Sequence, residues 1–452
     1  MTAPTPSPGT TTDTDLLIIG GGMAGLTAAA RTVRNGARAM VVESSDAVGG
    51  NGRYAGYVWT APDREAMAKW NPEGSEPLRN ALVDGLPAGV QWIRDMGVTV
   101  GEAQKQLAFG IGHQFDTNHY IDLCKAAVLT RGEVLLGTQT TGLLTADDGT
   151  VVGAELALPD GSTRTVRAGA TLVATGGFQG NSDLVDELIH PAGSTMPLRS
   201  SATSRGDGRR LALSVGAAVG TENAGFYGHL VPSGVPFDSP ADFVDLSLYY
   251  SEHALLFNTN SERFTDESLA DHLTTMELLE QPGARGLLIA DARVHRDHIV
   301  KPYVAGAPST DKFALAYRRG GRAGVAESLE ELADMPEEWG YDGARIAEQI
   351  AAYNDAATSG GRIDPTRKLD ATPLVDPPYY IVEAIPALTF PFHGVLTDER
   401  GHVLTPSGEP IPGLYAAGSD VGGLYHRAYA GSLAPAIVFA LAAADTATPA
   451  AR

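Results

Sequence analysis

The feature that most constrains this chain is a glycine spacing, Gly20-x-Gly22-x-x-Gly25. It directly follows the apolar run Asp15 to Ile19 and opens Met23 to Arg34, where alanine and leucine recur at helical density. A second apolar run, Ala39 to Val42, follows Asn35-Gly36 and ends at Glu43. Strand, glycine turn, helix and strand make residues 15–43 a βαβ unit. In that context each glycine has a task. Gly20 permits a tight turn, Gly22 lets a pyrophosphate approach the backbone, and Gly25 lets the helix pack on the strand while its N-terminus faces the phosphates. Glu43 is placed to accept hydrogen bonds from a ribose diol.

The 452 residues suggest two or three structural units. Residues 1–14, rich in Thr, Pro and Ser, read as a disordered leader without the basic start or apolar core of a signal peptide. Helices are expected near Asn80–Met96 and Asn118–Leu129. Alternating segments at 133–136, 142–145, 151–158 and 163–168, with Asp-Gly turns at 148–149 and 160–161, predict a small antiparallel meander. From 229 to 369 the texture changes to Pro-rich loops, Gly-rich joints and the helices 328–334 and 342–357, which reads as an inserted domain. Residues 15–228 and 370–452 then form the two parts of the nucleotide-binding domain.

Composition excludes several classes. Lys plus Arg number 33 and Asp plus Glu 54, a net charge of −21 that opposes nucleic acid and anionic lipid. The single cysteine, Cys124, excludes a disulfide scaffold and makes a cytoplasmic setting the default. The longest apolar run, Leu433 to Ala444, is shorter than the about 18 residues of a membrane span. No metal-ligand spacing is present, so no metal is expected.

The fingerprint alone serves both NAD and FAD. Further segments are more specific: Gly49-Gly50-Asn51, the ATGGF of Ala174, Thr175 and Gly176 through Phe178, SRGDGRRLALSVGA from Ser204, NTNSERFTDE from Asn258, IPGLYAAGSDVGG from Ile411, and GSLAPAIVF from Gly431. In this order they resemble the FAD-dependent fumarate reductase/succinate dehydrogenase flavoprotein family over nearly the whole chain from Asp15. The resemblance implies an α/β architecture, a Rossmann-like FAD-binding domain with an inserted α+β capping domain closing over the flavin. It implies that Gly418 lets backbone approach the flavin, that Asp420 contacts its ribityl or phosphate region, and that the amides of Ser432 and Leu433, opening the last helix, face the flavin O2. GRYAGYVW, after Asn51, has no histidine where covalently flavinylated members place one, so FAD is expected to be non-covalent.

Departures from the family bear on the reaction. Fumarate reductases carry a proton-donating arginine shortly after the GxRFxxE segment, whereas ESLADHLTT puts Asp271 or a neighbour there. Tyr249-Tyr250 stand where the family has Arg and Glu, and HHTMGG becomes TFPFHG, with His393 replacing a glycine. TFPFHGVLTDERGHVL is similar to the tricarballylate dehydrogenase branch, and YHRAYAGSL to 3-ketosteroid dehydrogenases. By gapless alignment from Phe439, Arg427 falls at the family's substrate arginine, suited to clamp a carboxylate or polarise a carbonyl. Tyr250, His229, His393 and Tyr429 are the candidates for moving a proton or holding an oxygen.

The expected activity is dehydrogenation of a C–C bond adjacent to a carbonyl or carboxylate of a small molecule, with an unknown external electron partner. The alternatives are C=C (enoate or enone) reduction and a non-redox isomerase using FAD.

Overall fold

A computed structural model describes residues 10–220, 224–239, 241–302 and 309–450. The chain divides into two compact units: residues 1–190, 200–225 and 390–452 form the first, and 191–199 with 226–389 the second.

The first unit is built on an eight-stranded sheet. Its path runs His402–Leu404, Pro410–Ala416, Thr163–Val173, Thr10–Ile19, Ala39–Val42, Glu133–Leu135. All neighbours pair parallel except the first two. Leu16 to Ile19 align with Ala39 to Val42 on one side, and Ile19 with Val173 on the other. Leu17 and Ile18 are wholly buried, as a central parallel strand covered on both faces requires. The helix Met23–Arg34 follows; its small residues Ala24, Ala28, Ala29 and Ala30 are all buried, and it packs against the closing helix Leu433–Ala447.

Three of the four expected meander segments are present as Gln139–Thr145, Val151–Ala157 and Thr163–Val173, paired antiparallel, whereas Glu133–Leu135 instead pairs parallel with Ala39–Val42 at the end of the main sheet. Its last strand is longer than the alternation suggested, because one continuous ladder carries it from the meander into the parallel sheet. The leader expectation needs correction at its end. Thr10 to Thr14 pair with Arg164 to Ala168, so the long meander strand draws these polar residues into the sheet edge; residues 1–9 lie outside those described.

The second unit is an insertion in the chain and holds a five-stranded sheet, in the order Phe226–Pro232, Tyr379–Pro391, Gly286–Ala290, Leu255–Asn258, with Ala323–Ala326 also paired to Tyr379–Pro391. Strand alternation divides its core in two. Leu256, Leu288 and Val382 enter one cluster, and Leu255, Phe257, Leu287, Ile289 and Ile381 the other, so this sheet is covered on both faces. Residues 370–389 therefore belong to this unit rather than to the nucleotide-binding one, since Tyr379–Pro391 is the strand on which the small sheet is assembled.

Part of the NTNSERFTDE segment is a buried brace of this unit. Glu267 receives Arg263 at 3.0 and 2.7 Å, Arg367 at 3.2 Å, and the Leu256 amide at 2.9 Å.

Candidate functional site

The glycine turn has the shape of a phosphate cradle. A Cβ on Gly20 would overlap the Ala174 carbonyl, and one on Gly25 would overlap the Gly20 carbonyl, whereas one on Gly22 would meet nothing within 4 Å. Packing thus demands glycine at Gly20 and Gly25, while Gly22 faces open space. Gly22 caps the helix Met23–Arg34 with no side-chain bond to its first-turn amides, which leaves donors for an anion. The cradle fits a dinucleotide pyrophosphate.

Around it the remaining motifs are tied together. Glu43 accepts from the Gly21 amide at 2.8 Å through Oε2 and from Ser45 N and Oγ at 2.8 and 2.7 Å through Oε1. Each carboxylate oxygen has two acceptor sites, so capacity for a ribose hydroxyl remains. Gly49 donates to Gly21 O at 2.8 Å, and Gly50 has φ +48. Asn51 bonds Ser200 Oγ at 2.5 Å and the Ser201 amide at 2.8 Å. Ala174 N bonds Ile19 O at 2.8 Å, and the turn after it is held by Asp420, which accepts from Thr175 N, Thr175 Oγ1 (3.0 Å), Gly176 N (3.2 Å) and Gly177 N (3.2 Å). Burial raises the Asp420 pKa, against these hydrogen bonds. Gly418, at φ +75, lies where a Cβ would be 3.1 Å from Ala24 Cβ. Ser432 precedes the helix that begins at Leu433, and that first turn too has no side-chain cap.

Also in the first unit, Tyr429 is buried edge-on to Trp59 at 5.2 Å, with its hydroxyl 3.4 Å from Ser432 Oγ. His393 is buried against Phe178, its Nδ1 without a hydrogen-bond partner among the described residues; burial first, then Arg209, pushes its pKa down to about 4. Arg427 is exposed and has φ +56, an uncommon conformation for a long side chain, with its amide bonded to Ala224 O at 2.7 Å.

A second polar cluster is internal to the inserted unit. His229, on the strand Phe226–Pro232, is buried with Nδ1 hydrogen-bonded to Asp271 Oδ2. Burial is the largest effect on the imidazole and lowers its pKa; Asp271 opposes this, while Arg199 and Lys312 reinforce it. Its Nε2 is buried with no hydrogen-bond partner among the described residues.

Tyr250 does not join this cluster: it lies in the apolar core with Leu230, Leu248 and Leu256, where burial raises its pKa. The short 3₁₀ turn Tyr249–His253 separates successive side chains by about a third of a turn, so Tyr249 is the residue that meets His229, ring to ring at 4.8 Å. Arg199 Nη2 donates to Tyr249 Oη at 2.8 Å, and the same guanidinium bonds Ser247 and Thr389. Lys312 lies 5.0 Å from the Tyr249 ring, donates to Val244 O at 2.8 Å, and has its pKa lowered by burial to about 8. Sequence reasoning missed Arg199 and Lys312, neither of which sits in a motif, and it chose Tyr250 over Tyr249 of the Tyr249-Tyr250 pair. Asp271 drew notice only as the residue occupying an arginine's place.

The family model described as FAD binding domain matches residues 15–432. The chain belongs to this family. FAD is therefore the cofactor that the cradle fits, and the chain is a flavin-dependent oxidoreductase. It is 25% identical to a fumarate reductase (cytochrome) of Shewanella frigidimarina, over 91% of this chain and 72% of the relative. It is 23% identical to a vinyl phenol reductase of Lactiplantibacillus plantarum, over 92% and 91%. Among solved structures, a 3-ketosteroid-Δ4-(5α)-dehydrogenase from Rhodococcus jostii RHA1 shares the fold with a TM-score of 0.76 at 19% identity, over 97% of each chain. The open conformation of a flavocytochrome c3 fumarate reductase does so with 0.71 at 22%, over 97% of this chain and 78% of that one. Among the described residues no helix is long and apolar enough to cross a membrane.

Proposed function

We propose that this protein dehydrogenates a C–C bond adjacent to a carbonyl or carboxylate of a small molecule, with FAD held non-covalently. Bound FAD supplies the hydride acceptor. Gly20, Gly22 and Gly25, the amides opening the helix Met23–Arg34, and Glu43 are assigned its pyrophosphate and adenosine ribose. The segment Gly52 to Trp59 contains no histidine for covalent attachment. Acid precipitation should release all flavin to the supernatant, and colour retained by the pellet would contradict non-covalent binding.

The observation that carries the direction is His229. Its imidazole is held neutral by burial, and its Nε2 has no partner among the described residues. A neutral imidazole accepts a proton, whereas reduction of a double bond needs a donor. The C–H bond next to the carbonyl breaks and its proton passes to Nε2; hydride leaves the neighbouring carbon, and the two carbons are left doubly bonded. Arg427 is assigned the substrate oxygen, supported by its exposed guanidinium in the loop just before Ser432.

Reduction of a C=C bond is the second reading, favoured by the activities for which relatives are named: fumarate, vinyl phenol and urocanate reductases. Anaerobic mixing separates the two. Bleaching of the flavin by succinate, cyclohexanone or 4-androstene-3,17-dione supports dehydrogenation. An oxidised enzyme inert to all three, whose dithionite-reduced form is reoxidised by fumarate or urocanate, supports reduction. Conversion without bleaching supports an isomerase.

A further inference from the structure

We propose that Asp271 is the positioning residue of a His229–Asp271 dyad, fixing the imidazole in the tautomer that presents Nε2 as a lone-pair base. The inference rests on the reading of His229 as proton acceptor and adds how this chain makes that histidine competent.

The hydrogen bond decides the tautomer. Asp271 Oδ2 faces His229 Nδ1, and an ionised carboxylate can only accept, so Nδ1 carries the hydrogen and Nε2 the lone pair. Asp271 is the first residue of the helix Asp271–Leu279, where the aligned peptide dipoles favour negative charge. Burial is the largest effect and raises its pKa, but its pairing with His229 and the Arg199 guanidinium outweigh burial and leave the carboxyl below its usual range.

The ring is also fixed in orientation. Tyr227 meets it edge-on at 4.8 Å and 77°, and Tyr249 at 4.8 Å and 80°. Tyr249 is itself held by Arg199 and overlain by Lys312. The groups facing the imidazole are thus Asp271 and His272 from one helix, Lys312 from the helix Lys312–Arg318, Tyr249 from its turn, Arg199 from the segment before the strand, and Tyr227 beside it on the strand. Two cations and burial keep the ring neutral until it receives a proton, and the one carboxylate then stabilises the imidazolium. In the step itself the proton of the C–H bond passes to Nε2, the bonding pair stays on the substrate carbon, and the Nδ1 hydrogen remains on the Asp271 bond.

Nitrogen NMR of the substrate-free holoenzyme, labelled in histidine, tests the dyad independently of turnover. At pH 7.5 wild-type His229 is expected to show a protonated Nδ1 and an unprotonated Nε2, and to titrate below 6.5. Asp271→Asn is expected to populate the Nε2-protonated tautomer. It should also slow bleaching by the most active of the three probes, succinate, cyclohexanone or 4-androstene-3,17-dione, by about 10²-fold or more. A wild-type His229 protonated on Nε2 overturns the proposal, and so does an Asp271→Asn variant with the wild-type tautomer and pH profile. If that variant does not fold, the wild-type tautomer decides. If no probe bleaches the flavin, the reading of function fails, while the tautomer still decides the dyad.

Discussion

Asp420 and Thr175 are joined twice across 245 residues of sequence, the carboxylate accepting from both the backbone amide and the hydroxyl of the threonine. The Gly176 and Gly177 amides, each at 3.2 Å, complete the set. This carboxylate closes the C-terminal part of the flavin-binding unit onto the end of its central strands.

Replacing Asp420 with Ala should therefore act on stability before it acts on chemistry. Three turn amides would lose a buried acceptor, a loss of roughly 3 kcal/mol. Urea unfolding of the apo-protein should show the loss, accompanied by reduced FAD content; an unchanged midpoint would mean that the staple contributes nothing.

Gly22 and Gly25 should separate when each becomes alanine. Gly22 has an ordinary extended φ of −76 and open space where a Cβ would go, so Gly22→Ala should leave apo stability within about 1 kcal/mol while weakening FAD at least tenfold. Gly25→Ala meets the Gly20 carbonyl and should destabilise the apo-protein directly. Equal FAD affinity for Gly22→Ala and wild type, measured by fluorescence titration, would move the pyrophosphate elsewhere.

Arg427 holds a backbone conformation that glycine adopts more easily. Arg427→Gly should relieve strain, stabilising by about 1 kcal/mol, yet lower kcat/KM roughly 10²-fold with flavin content unchanged. Lysine should restore only part of the activity, because an ammonium lacks the bidentate fork. Full turnover in Arg427→Gly would place the oxygen clamp at another residue.

Two buried histidines set an acid limit. His393 and His272 each have pKa values pushed to about 4, principally by burial. Between the unfolded value near 6.5 and about 4, the unfolded chain binds a proton that the native state does not, so stability is held above that window and falls as pH falls through it. The slope is about 1.4 kcal/mol per pH unit for each histidine. His393→Asn should flatten the dependence; identical slopes for variant and wild type, in urea melts from pH 7.5 to 5, would contradict this.

How much of this was legible in the sequence depends on the range of the interaction. The Gly20–Gly25 turn and Glu43 are local, and the helix Met23–Arg34 and the strand Ala39–Val42 appear where periodicity puts them, while the first strand ends at Ile19 as expected but begins at Thr10, five residues before Asp15. The apolar run Gly394 to Thr397 has a strand-like pattern, yet it makes only isolated bridges through Val395 and Thr397, and Gly394 is pressed against Asp420 backbone. Tyr249 and Tyr250 are adjacent and chemically identical, so only the turn that carries them tells which is core and which faces His229. Asp271 bonds this imidazole, and Arg199 and Lys312 act on it through their charge, from three distant stretches of chain, a convergence set by the small sheet and its helices.

The most direct test of the account is a stopped-flow comparison of wild-type enzyme with His229→Gln, mixed anaerobically with the most active of succinate, cyclohexanone and 4-androstene-3,17-dione. The account predicts full FAD content in both and flavin bleaching slowed by about 10²-fold or more in the variant; bleaching at the wild-type rate in His229→Gln would contradict it.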